Sequence, residues 1–337
     1  ITQEGNLSVA QATDLNAGAG NIDLSSTGND FGGTVDVAGN NATITDANDL
    51  NLGNVATTGD LTVDSTGALD LGTGTVGGDL VASSGNGSIT QEGNLSVTGD
   101  ADLNAGTNDV TLDGANNNFV GTVNASGADI TLADATGGLD LGNVNATGNR
   151  DVSSTGGDIT DSGSVTVAGT TDLDAGANDV ALDSATNDFG GTVNASGADI
   201  TLADANGIEL GDVTASGTLG VSAADDITQA AGSTVSATGE TTLASAGGDI
   251  TLDGATNDFG GTVNAAGGNV ALADANGIEL GNVDASGSLG VSAQDDVTQA
   301  AGSTVSTGGQ TTLASAGGDI TLDGATNDFG GTVNAAG

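Results

Sequence analysis

The stretch GNVALADANGIELGNVDASG, residues 268–287, decides the fold. Its apolar residues fall in three short runs, Val270/Leu272, Ile278/Leu280 and Val283/Ala285. A period of two places Val270 and Leu272 on one face of an extended strand, and Ala271 and Ala273 on the other. Gly, Asn and Asp separate the runs, and these residue types mark tight turns. Three strands joined by two corners predict one coil of a triangular solenoid. A helix does not fit, because no 3.6-residue spacing is sustained and each interior Gly would cost about 1 kcal/mol.

The flanking sequence repeats the pattern at unequal lengths. Residues 240–267 read ETTLASAGGDITLDGATNDFGGTVNAAG, and residues 288–309 read SLGVSAQDDVTQAAGSTVSTGG. The three segments end alike, in TVNAAG, NVDASG and TVSTGG, and have 28, 20 and 22 residues. A larger period is set by the only aromatic residues, Phe31, Phe119, Phe189, Phe259 and Phe329, spaced by 88, 70, 70 and 70. The 70-residue unit therefore holds three coils, and the longer first interval holds one extra. This divides the chain into a partial coil at 1–11, a four-coil unit at 12–99, three-coil units at 100–169, 170–239 and 240–309, and the first coil of another at 310–337. The expected fold is all-β: a single right-handed parallel β-helix with three short strands per coil and about fourteen coils. Equivalent strands would pair in parallel at about 4.8 Å per coil, giving a rod of roughly 70 Å. Each Phe motif would then recur every third layer, about 14 Å apart, with Phe at the corner covering the end of the internal aliphatic ladder.

Composition supports a narrow aliphatic interior. The 337 residues include 60 Gly but no Pro, Cys, Met, Trp, Tyr or His. Ala, Val, Leu and Ile must therefore build the core. The net charge of −44 arises from 45 acidic residues against the single Arg150. Such acidity repels phosphate, so nucleic acid and anionic membrane surfaces are disfavoured. No run approaches the roughly 20 apolar residues of a membrane helix, and no membrane insertion is expected. The absence of Cys excludes disulfides and thiolate metal sites. The start at Ile1, with neither initiator Met nor signal peptide, and the lack of a capping coil at either end are expected of a piece of a longer chain.

The segments GGDITLDGATNDFGGTVNAAG (Gly247–Gly267) and ADITLADANGIELGDVTASG (Ala198–Gly217) resemble the shaft regions of filamentous-haemagglutinin-like bacterial adhesins. Many of these are exported by two-partner secretion. The resemblance extends over essentially the whole chain. It implies an extracellular or outer-surface filament that projects a binding tip. Its host, cell or matrix partners would be contacted by regions outside these residues, and homo-assembly into fibres would be compatible with it.

Few residues suggest chemistry. The alternatives to a shaft are a polysaccharide-binding or lyase-like β-helix with a side groove and a Ca²⁺-stiffened matrix or surface-layer protein. Enzymatic β-helices such as pectate lyases resemble this architecture, but they combine acidic clusters with a basic residue. Here Arg150 lies in an irregular coil, TGNRDVSSTGGD, that has no equivalent elsewhere. Without His or Lys, the many Ser residues lack an evident base, and no enzyme or cofactor is expected. Aligning the first corners of three coils brings Asp249, Asp274, Asp295 and Asp296 into one column. Stacked carboxylates repel one another and are a candidate Ca²⁺ ladder. The plainer reading is a solvated acidic edge, and the Ca²⁺-binding nonapeptide of other solenoids is absent. Outward Thr332 and Asn334, set beside Asn282/Asp284 and Thr304/Ser306, lack the flat Thr-x-Thr regularity of ice-binding solenoids. Sequons such as Asn124-Ala-Ser126 and Asn194-Ala-Ser196 follow from the composition alone.

Overall fold

A computed structural model describes residues 1–337, entirely as strands and turns with no helix. The strand pairings are parallel, so the chain is an all-β parallel β-solenoid of about 16 turns. It divides into two units, Ile1–Gly169 and Thr170–Gly337.

In the second unit, successive segments alternate between two ladders. Thr241–Ser245 pairs with Thr262–Gly267, which pairs with Ile278–Ala285. That strand then pairs with both Val297–Gln299 and Val305–Thr307. The intervening segments build the other ladder, from Ile250–Leu252 through Val270–Asp274 and Leu289–Ala293 to Thr311–Ser315. Two consecutive segments complete one turn.

This alternation corrects the coil count. Residues 240–267 hold four strands, of which Ile250–Leu252 and Asp258–Phe259 join the same ladder, so they make one and a half turns rather than one coil. The 20- and 22-residue stretches that follow are single turns. A 70-residue unit thus makes three and a half turns, and this half-turn in each 28-residue stretch raises the total from fourteen to about 16. Identical TTLAS strands at Thr241–Ser245 and Thr311–Ser315 consequently lie in different ladders. Phe259 and Phe329 also fall in different ladders, with Ala237 and Thr307 as neighbours. The expected recurrence of the Phe corner on one edge every third layer does not occur.

The three expected strands are separate in the 22-residue coil, as Leu289–Ala293, Val297–Gln299 and Val305–Thr307, but two of them merge in the 20-residue coil. Ile278/Leu280 and Val283/Ala285 belong to one eight-residue strand, Ile278–Ala285. Its pairing slips between Val263 and Ala265, where Gly281 and Asn282 form the bulge. A bulge bends a strand without ending it, so the polar break that reads as a corner is a kink inside one strand.

In the first unit, one ladder runs through Ile22–Leu24, Ala42–Asp46, Leu61–Ser65, Leu80–Ser84, Ala101–Asn104 and Thr122–Gly127 to Leu139–Ala146. Leu61 and Leu80 are register partners, so residues 61–79 make one whole turn and preserve the stacking.

The interior is filled as the alternation predicts. Val270 and Leu272 are buried and Ala271 is partly exposed, although Ala273 also turns inward near the corner. Leu, Ile and Val of successive turns stack directly, as in Ile200 on Leu219 and Val221 on Leu243. Each such side chain contributes roughly 1.5–3 kcal/mol by leaving water. Phe31, Phe119, Phe189 and Phe259 are members of this core, while Phe329 is half-buried.

Thr241 interrupts the apolar stack between Leu219 and Val263. It is fully buried, and its Oγ1 has no hydrogen-bond partner. Replacing it by the isosteric Val removes an unsatisfied hydroxyl without opening a cavity. Thr241→Val should raise stability by about 1–2 kcal/mol in urea denaturation.

Candidate functional site

The four aligned carboxylates do not form one column. Asp249 immediately precedes strand Ile250–Leu252, and its Oδ1 accepts the backbone N–H of Asn269 at 2.7 Å. Asn269 Oδ1 in turn accepts the Ser288 N–H at 2.9 Å. Asp274 lies at the far end of the next strand, buried and in register with Ala293. Asp295 and Asp296 lie beyond that strand, and Asp296 accepts the Asp319 N–H at 2.8 Å. No group of three or more acidic residues is placed to hold a metal ion.

The real column is a side-chain-to-backbone ladder. In the first unit Asn41, Asp60, Asp79 and Asp100 each accept the backbone N–H one turn later, at 3.1, 3.1, 3.0 and 2.9 Å. In the second unit Asp226 accepts the Asp249 N–H at 2.7 Å, and the column continues through Asp249 and Asn269. These oxygens satisfy corner amides at the edge of the sheet pairing. They also explain the recurrent Gly-Asp and Gly-Asn pairs. A Cβ on Gly268 would lie 2.5 Å from Asp249 Oδ1, and one on Gly121 would lie 2.7 Å from Asp100 Oδ1. Gly relieves this crowding at most turns, although Ala128 and Ala198 precede ladder residues Asp129 and Asp199.

A second network anchors the Phe corner. Asn257, fully buried, donates from Nδ2 to Gln229 Oε1 at 2.9 Å and to Leu252 O at 3.2 Å. Its Oδ1 accepts Gln229 Nε2 at 2.6 Å and the Val235 N–H at 2.9 Å. The same amide pairing joins Gln3 to Asn29, Gln91 to Asn117 and Gln299 to Asn327. Asp274 closes the corner from the next turn, accepting the Phe259 and Asn276 N–H groups at 2.7 and 2.6 Å. Asp204 does the same for Phe189 and Asn206. Neither network is evident from residue type alone, since Asn and Gln between strands read as turn formers. The available signal is the fixed distance from each Thr-Gln to the following Asn-Asp/Asn-Phe, 26 or 28 residues.

The two sets of aspartates titrate in opposite directions. Hydrogen bonds from the backbone and side chain of Thr218 and of Asn269 hold Asp199 and Asp249 below the ordinary carboxylate range. Their stabilisation is present above the unfolded value of about 3.9 and is lost as pH falls through their lower folded values. Burial pushes Asp134, Asp204 and Asp274 upward despite the N–H groups they accept. Their contribution is fully present below about pH 3.9 and is lost as pH rises through their folded values. Melting temperature should therefore rise as pH is lowered from 7 toward the upper carboxylate range, then fall below about 3.9. In Asp249→Asn, which keeps the accepting oxygen, the acid-side fall should be shallower.

Arg150, the only Lys or Arg, is a core residue. It starts strand Arg150–Ser154, in register with Ile130, and is fully buried. Burial lowers its guanidinium pKa to about 9, opposed by the Asp161 carboxylate. The corresponding positions of later repeats are Leu219 and Leu289, so the irregular coil does have equivalents.

These features define a repeat protein of solenoid type, built from 70-residue units whose buried polar groups hold corners together. The chain belongs to the family described as repeats of unknown function (DUF5649), whose model matches residues 1–38, 39–69, 58–126, 127–196, 197–266 and 267–336. Its last three matches keep the 70-residue period. No curated protein and no solved structure matches the chain.

Proposed function

We propose that these repeats are a structural shaft segment of a large bacterial cell-surface adhesin or extracellular filament, of the filamentous-haemagglutinin-like kind. The observation that carries this reading is the corner ladder. Turn after turn, Asp and Asn side chains tie one coil's backbone to the next, beside a largely aliphatic core. Such an arrangement resists local opening, because each turn is hydrogen-bonded to its neighbours along strands and corners alike. The work is mechanical: spacing or projecting a binding region that lies elsewhere. The acidic exterior keeps shafts soluble and apart.

Thermolysin tests the proposal, since it cleaves at the abundant Leu, Val and Ile positions. The native protein should resist digestion under conditions that degrade the urea-unfolded chain completely. Rapid cleavage throughout the repeats would contradict a mechanical shaft.

A further inference from the structure

The outer face of one ladder in the first unit carries a groove of about 570 Å³, spanning the strands from Leu80–Ser84 to Val165–Val167. Along it, Ser83, Asn104, Ser126, Asn145 and Thr166 are successive register partners. They form a straight row of hydroxyls and carboxamides at the interstrand spacing of about 4.8 Å. The row is open for binding. Asn104 Oδ1 accepts the Gly106 N–H at 3.0 Å, while the side chains of Ser83, Ser126, Asn145 and Thr166 make no hydrogen bond within the chain. Beside this row, Asp102 accepts Asn124 Nδ2 at 2.8 Å on one of its two carboxylate oxygens. Val81, 40% exposed, adds an apolar patch at one end.

We infer that this groove binds an extended neutral polysaccharide. Carboxamides and hydroxyls in a row match the hydroxyls of successive sugars, and the exposed aliphatic surface matches their C–H faces. An extended β-linked pyranose chain advances by nearly the interstrand spacing per sugar, so donors and acceptors keep step. The net charge of −44 excludes anionic polymers from the same surface. The second unit supplies an internal comparison. Its corresponding rows are Asp174, Ser196, Thr214 and Ser236, and Ser222, Ala244, Ala266, Asp284 and Ser306, both in register but without a carboxamide. The groove chemistry is therefore a property of one repeat and not a requirement of stacking.

The test is titration calorimetry of the full chain with cellohexaose and chitohexaose, and with hexagalacturonate as the anionic control. Saturable binding of at least one neutral oligomer is expected, with none of the anionic one. Asn104→Ala and Asn145→Ala should each weaken binding about five- to tenfold, while Ser306→Ala should leave it unchanged. All three positions are outward, and unchanged circular dichroism and melting would confirm folding. No binding to either neutral oligomer, binding of hexagalacturonate, or neutral-oligomer binding indifferent to both Asn substitutions would each overturn the inference. Because the shaft proposal is tested by proteolysis, failure here leaves it standing.

Discussion

Asn257→Ala should destabilise the second unit by about 3–5 kcal/mol, far more than truncation of an exposed Asn. The side chain is fully buried and makes four hydrogen bonds, two donated and two accepted. Truncation leaves the Val235 N–H and the Leu252 carbonyl facing a water-poor interior. It also removes one bond from each end of the Gln229 amide, which keeps only its bonds to Ser233 O and the Gly254 N–H. Each buried group left without its partner costs about 1–3 kcal/mol. Asn257→Asp should rescue little, because a carboxylate accepts from Val235 and Gln229 but donates to neither Leu252 nor Gln229. Gln229→Ala combined with Asn257→Ala should cost less than the two single changes added, since they disrupt one network. Hydrogen exchange should show the loss concentrated at Val235 and the Phe259 corner, as expected where each repeat contacts only its neighbours. Stability within about 0.5 kcal/mol of the parent would refute the role given to this amide pair.

The second large effect is a gain. Arg150→Leu together with Asp161→Gln should stabilise the first unit by about 1–4 kcal/mol. The double change installs the pair that later repeats carry, Leu219 with Gln229 and Leu289 with Gln299. Removing a guanidinium from the core relieves a desolvation cost strong enough to lower its pKa to about 9. Leu at this position stacks on Ile130, as Leu219 stacks on Ile200. Changing Asp161 as well matters, because a lone Arg150→Leu leaves that carboxylate without the neighbouring positive charge. Scanning calorimetry should show a higher melting temperature for the double variant, and a lower one would contradict the reading of Arg150 as a costly core substitution.

The residues that announced the fold were those with a strict period. Val270/Leu272 and Ile278/Leu280 face inward, and parallel stacking of equivalent strands follows from such short two-sided runs. What escaped was phase. Matching the endings TVNAAG, NVDASG and TVSTGG gives three coils, whereas the chain has already completed an extra half-turn by Gly267. Local similarity carries no information about which ladder a strand joins. The bulge at Gly281 and Asn282 hid a continuous strand for the same reason, because Gly-Asn reads equally as a corner or a kink. The acidic residues were legible as corner formers but not in their register: Asp249 stacks on Asn269, while Asp274 points inward to hold Phe259. Arg150 was the hardest to place, since TGNRDVSSTGGD reads as an irregular coil without equivalents, and only the register with Ile130 puts it in the core.

The proposed shaft role puts these turns on a cell surface as a mechanical element. Electron microscopy of the native assembly on the cells that produce it tests this most directly. Thin, unbranched fibres should project from the surface, labelled along their length by an antibody to the 70-residue repeat. Discrete globular particles carrying the label would contradict it.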